Sequence, residues 1–100
     1  MDKIEINFRF LHNKKNGHYA LIYKENKKNY FYFGLTHAKR FFNNKNLKLS
    51  KNPNPKDNRN AYIIPKISHL NKSYFKDTAK HLVLSEEDKV QLINLIEKKK

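Results

Sequence analysis

The sequence has no cysteine, two glycines and nine acidic residues in a chain of 100. Each shortage closes off a class of protein. Without thiols there are no disulfides and no thiolate-bound metals, and such a composition points to a cytoplasmic protein. With Gly17 and Gly34 alone, no glycine-rich loop can cradle the phosphates of a nucleotide. No apolar run approaches the ~20 residues that span a bilayer, and residues 1–20 lack the continuous apolar stretch of a signal peptide. The histidines, His12, His18, His37, His69 and His81, show no helical metal-ligand spacing and no neighbouring carboxylate cluster. Neither a metal nor a cofactor is expected.

Positive charge is plentiful. Lysine and arginine number 22, for a net charge of +13. Residues 84–100 hold four acids and four lysines and cancel, so the whole excess lies on residues 1–83. A domain this basic repels itself and is expected to meet a polyanion or an acidic partner. Codon bias toward lysine and asparagine would also raise the charge, and the excess of Lys over Arg fits that too. The C-terminal amphipathic segment is charge-neutral and opens with acids, which argues against a membrane surface.

The length allows one domain, residues 1–100, with one modest core. Residues 3–11 alternate, with Ile4, Ile6, Phe8 and Phe10 on one face, and predict a half-buried strand. Strands are also predicted over 18–25, 29–35 and 61–67, with short ones at 47–49 and 81–84. Pro65 places the 61–67 strand at an edge or a bulge. A polar turn joins 25 to 29, and residues 36–46 read as a helical turn or a loop. Residues 50–60 form a loop of turn-formers, and residues 68–80 read as irregular. Ser85 followed by Glu86, Glu87 and Asp88 is a helix start with capping-box spacing. Val90, Leu92, Ile93 and Ile96 supply the apolar stripe of a helix over about 86–98. The expectation is a mainly β, α+β domain: a small antiparallel barrel or curved sheet of five to six short strands, with a C-terminal helix packed on it.

The reactive groups form a small acid–base set on a basic surface. RNA carries its own nucleophile, the 2′-hydroxyl, so its cleavage needs only a base, an acid and groups that steady the phosphate. Histidine suits both proton transfers. The candidates for them are His18 and His37, beside Thr36. Candidate nucleic-acid contacts are Arg9, Tyr19, Lys39, Arg40, Lys56 and Arg59, with Tyr62 and Tyr74 as further rings for stacking on unpaired bases. Tyr30, Phe31, Tyr32 and Phe33 read as packing residues. Asp57 and Arg59 can pair inside their own loop and hold it shut.

The order GHYALIY, hairpin, YFYFGLTH, LKL, AYIIPKI, HLVLSEEDKVQLINLIEK resembles the MazF/PemK group of toxins over about residues 16–97. The resemblance implies a half-open, src-homology-3-like barrel and metal-independent cleavage of single-stranded RNA. It also implies homodimers and inhibition by an acidic antitoxin. Thr36 falls on the family's catalytic threonine. His18 falls where the family usually places a catalytic arginine, which is a departure. Residues 52–59, NPNPKDNR, have no counterpart in the family. The competing expectation is a non-enzymatic phage- or plasmid-encoded inhibitor. It would bind nucleic acid or a host ribonucleoprotein, such as an RNA-guided nuclease, through a lysine face.

Overall fold

A computed structural model describes residues 6–11, 18–41 and 44–98. Strands β1 (Asn7–Leu11), β2 (His18–Glu25) and β3 (Asn29–Thr36) form its antiparallel centre. The turn between β2 and β3 is closed by Asn26, whose Oδ1 accepts the N–H groups of Lys28 and Asn29. Ile4 and the 12–17 loop, including His12, lie outside the described residues.

Beyond β3 the sequence expectations need correcting. Within 36–46, expected as a helical turn or a loop, the described residues include two short paired strands, β4 (Arg40–Phe41) and β5 (Asn44–Lys45). β6 (Leu47–Lys48) then pairs with β7 (Tyr62–Ile63). The predicted 61–67 strand stops short, because Lys66 donates its N–H to the Ile64 carbonyl across Pro65. That tight turn suits the fixed φ of proline. The chain re-enters the sheet as β8 (Ser68–Asn71), so β7 and β8 pair with opposite halves of β3 and the segment around Pro65 bulges out. Residues 68–80, expected to be irregular, supply β8, a 3-10 turn (Lys72–Tyr74) and β9 (Phe75–Thr78). Polar side chains alternating over a half-buried aromatic face disguise these strands in the sequence. Residues 81–84, expected as a strand, join no ladder among the described residues; Val83 donates its N–H to the Pro53 carbonyl, and Leu82 and Leu84 are plugged into the core.

The result is a seven-stranded, mainly antiparallel sheet, more strands than expected, with one C-terminal helix, α1 (Glu86–Lys98). β9 pairs with β1 and β8 with β3, on opposite sides of the centre, and no ladder joins β8 to β9 among the described residues. The sheet therefore stays open.

Register sets the core. Phe8, Leu21 and Phe33 lie opposite one another and face the same way. Leu49, Ala61, Ile63, Leu82 and Leu84 pack with them, and α1 covers the cluster with Leu92 and Ile96. The helix is turned from the expected stripe: Val90 and Ile93 are exposed, and the inward positions are Asp88, Leu92 and Ile96. Asp88 is fully buried, with Oδ1 accepting from Ser50 N–H at 2.8 Å and Oδ2 from Lys51 N–H at 3.3 Å. Its own N–H donates to Ser85 Oγ. The cap is thus half of a capping box, with the carboxylate sent across the fold instead of back to Ser85.

The opposite face of the sheet carries a smaller aromatic cluster. Phase alternation puts Arg9, Tyr30 and Tyr32 there, and Phe75 of β9 meets both tyrosine rings edge-on at 5.1 and 5.5 Å. Burial pushes the Tyr32 phenol up, partly offset by its hydrogen bond with Ser68. Gly34 faces Ile64, where a Cβ would stand 3.1 Å from Ile64 Cδ1; glycine allows that close approach.

Candidate active site and nucleic-acid interface

Two segments meet at the end of β3. The first is the strand end itself. Thr36 closes β3, and its Oγ1 accepts the Ala38 N–H at 3.1 Å, turning the chain and presenting His37 beyond the sheet. The hydroxyl proton of Thr36 remains available to donate.

The second segment is the 50–60 loop. A bond from Leu49 N–H to the Ala61 carbonyl pinches its base. Inside it, Asn52, Asn54 and Asp57 each accept a backbone N–H two residues on, from Asn54, Lys56 and Arg59. Three such Asx turns in series, with Pro53 fully buried, make the loop a rigid arm. Its tip carries Asp57 toward His37, where Nε2 stands 3.3 Å from Oδ2.

Asp57 is shared. Arg59 grips it with two side-chain hydrogen bonds, Nε to Oδ1 at 3.0 Å and Nη2 to Oδ2 at 2.7 Å. These bonds, then the Arg59 backbone N–H, hold the Asp57 carboxyl well below the usual carboxylate range, and the same pairing raises the Arg59 guanidinium. An ionised carboxylate on Nε2 favours the tautomer with its proton there. In that tautomer the other ring nitrogen, Nδ1, carries the lone pair. The imidazole is about half exposed.

His18 stands at the start of β2. Ala20 pairs with Gly34, and two residues further along these strands stand His18 and Thr36, at the same end of the sheet. His18 is exposed and has no side-chain partner among the described residues. The structure therefore gathers Thr36, His37 and His18 at one end of the sheet and adds Asp57. Sequence reading paired Asp57 with Arg59 but found no acid beside a histidine. The signal was in NPNPKDNR: a run of turn-formers that rigidifies its own aspartate.

The predicted nucleic-acid contacts scatter. Arg9 is tied down: Nη1 donates to the Lys76 carbonyl at 2.9 Å, and the guanidinium lies 4.8 Å over the Tyr30 ring. Tyr19 is half buried, edge-on to Phe10 and His81. Arg59 is committed to Asp57, and Tyr62 is buried. Lys39, Arg40 and Lys56 are exposed, as is Tyr74. Lys39 borders a groove of about 850 Å³ between the β5–β7 edge and α1. No helix among the described residues is long and apolar enough to cross a membrane, and no three potential metal ligands converge among them.

No protein-family model, curated protein or solved structure matches this chain. Its function has to be read from its own residues.

Proposed function

We propose that the protein is a small basic RNA-binding protein that cleaves single-stranded RNA without metal. The observation that carries the proposal is the His37–Asp57 contact beside Thr36, on a chain of net charge +13. His37 Nδ1 takes the proton of the 2′-hydroxyl. The freed oxygen forms a bond to phosphorus, and the bond from phosphorus to the 5′-oxygen breaks. His18, as imidazolium, returns a proton to that leaving oxygen. The products are a 2′,3′-cyclic phosphate and a 5′-hydroxyl. Thr36 donates to a non-bridging oxygen, and Lys39 and Arg40 offset the charge that develops. Asp57 touches no substrate; it fixes the tautomer and aim of His37.

The reading keeps the MazF/PemK likeness as its frame, including a half-open, src-homology-3-like arrangement, a cytoplasmic location, a homodimer and an acidic antitoxin. The support for that arrangement is strand order: β8 and β9 are joined by a single 3-10 turn yet pair on opposite sides of the centre.

A second reading, a nucleic-acid- or ribonucleoprotein-binding inhibitor without catalysis, is favoured by the internal commitment of Arg9 and Arg59. The test is incubation of the protein with mixed single-stranded RNA in EDTA, beside the His18→Ala/His37→Ala double variant. Cleavage leaving cyclic phosphate, lost in the variant, is the expected result. Full activity in the variant overturns the assignment, and bound but intact RNA selects the inhibitor.

A further inference from the structure

The 850 Å³ groove has a distinctive wall. Four lysines border it, Lys39, Lys45, Lys48 and Lys98, and none of its lining residues is acidic. One side is a single stripe of α1: Gln91, Asn94, Leu95 and Lys98 recur at helical spacing. The other side is the short-strand edge, with Asn46, Lys48 and Asn60.

One observation favours an anion at this end of the groove. Arg40 and Lys45 lie directly opposite each other in the β4–β5 hairpin. Like charges in that position destabilise a hairpin unless a counter-charge is supplied. Asn46, which is 4% exposed, borders the groove, and its side-chain carbonyl oxygen, itself enclosed, has no donor among the described residues. A buried acceptor without a partner is uncommon and unfavourable. Asn46 also links the groove to the catalytic candidates. It donates from Nδ2 to the Ala38 carbonyl and from its backbone to the Lys39 carbonyl, both at 2.9 Å. The segment that presents His37 is therefore pinned by the groove floor.

We infer that this groove is the binding track for the single-stranded RNA that runs to His37. Its lysines pair with successive phosphates, and its carboxamides meet base edges. Only unpaired bases show those edges to side chains, and carboxamides can both donate to and accept from them. The inference rests on the RNA reading above. Binding is therefore measured separately from cleavage, so the two can fail independently.

The probe is a fluorescein-labelled, mixed-sequence single-stranded RNA of about twelve nucleotides, titrated in EDTA with the His37→Ala chain. The test variant adds Lys45→Ala, Lys48→Ala and Lys98→Ala, all at exposed positions. The control variant adds Lys27→Ala, Lys28→Ala and Lys76→Ala, equal in charge but on the β2–β3 turn and β9. Affinity should fall at least about tenfold at about 0.1 M salt in the groove variant, and the log–log salt slope should shrink by about two; the control should lose less than about threefold. Equal losses in both variants overturn the inference, as does unchanged binding in the groove variant or no binding by the parent chain. Displacement of the RNA by poly-glutamate at matched charge also overturns it and assigns the groove to an acidic protein. Groove-dependent binding by the wild-type chain with no cleavage retains the track and removes the nuclease.

Discussion

Two aspartates hold the 50–60 loop, and they do so by opposite physics. Asp88 grips its beginning from inside the fold, fully buried, with backbone N–H groups of Ser50 and Lys51 as donors. Asp57 holds its end at the surface, with the Arg59 guanidinium as the main donor and an exposed imidazole alongside. The buried carboxylate has no room to meet a substrate and serves as a staple. The surface carboxylate adds little to the core but lies against the His37 imidazole of the candidate site. The difference shows why one acid belongs to the fold and the other to the candidate site.

The largest expected effect tests the staple. Asp88→Ala leaves two donors unanswered at the edge of the core and should cost about 2–4 kcal/mol in chemical denaturation; Asp88→Asn, which keeps one acceptor, should cost less. A near-neutral Asp88→Ala would break the contrast. Asp57→Asn should leave the fold intact by circular dichroism while lowering RNA cleavage by about a hundredfold, the scale of a misoriented general base. Arg59→Ala sharpens this second prediction. It removes the loop clamp but keeps the carboxylate on His37, so most activity should survive. If both variants lose activity equally, Asp57 matters through the loop and not through His37.

Ser85→Ala should cost about 1 kcal/mol, because Ser85 caps α1 through the Asp88 N–H and adds only an exposed link to the loop, its Oγ 3.3 Å from Ser50 Oγ, beside the buried grip of Asp88. Thermal denaturation of this variant beside Asp88→Ala separates cap from staple. The smallest effect is pH-dependent. The Asp57 carboxyl is depressed, chiefly by its hydrogen bonds from Arg59. Its stabilising contribution is therefore full above the unfolded carboxylate value of about 4 and fades as pH falls toward the folded value. The stability gap between wild type and Asp57→Asn should be flat above that pH and narrow below it. A gap that widens in acid would show that the pairing with Arg59 is not what holds the carboxylate.

Much of the fold was legible because it is local. Alternation gives β1, β2 and β3, and the Ser85 cap with its acids gives the start of α1. The Asp57–Arg59 pair, two residues apart, was legible for the same reason. β8 and β9 were not legible, since their polar faces look like loop until an aromatic surface lies beneath them. The turn of α1 was hidden as well: Val90 and Ile93 fit an apolar stripe better than Asp88 does, and only the donors of a distant loop make a buried aspartate favourable there.

The site divides along the same line. By itself the sequence determined a basic, cysteine-free, β-rich domain with Thr36 and His37 adjoining at a strand end, because composition, alternation and adjacency are properties of the chain. Only the tertiary structure decided that Asp57 reaches His37 across twenty residues of sequence. It also decided that Arg9 is spent on Tyr30 and β9, and that lysines from two short strands and a helix end line one groove. Those outcomes depend on which surfaces the packing of α1 and the rigid 50–60 loop bring together, and no local pattern encodes that.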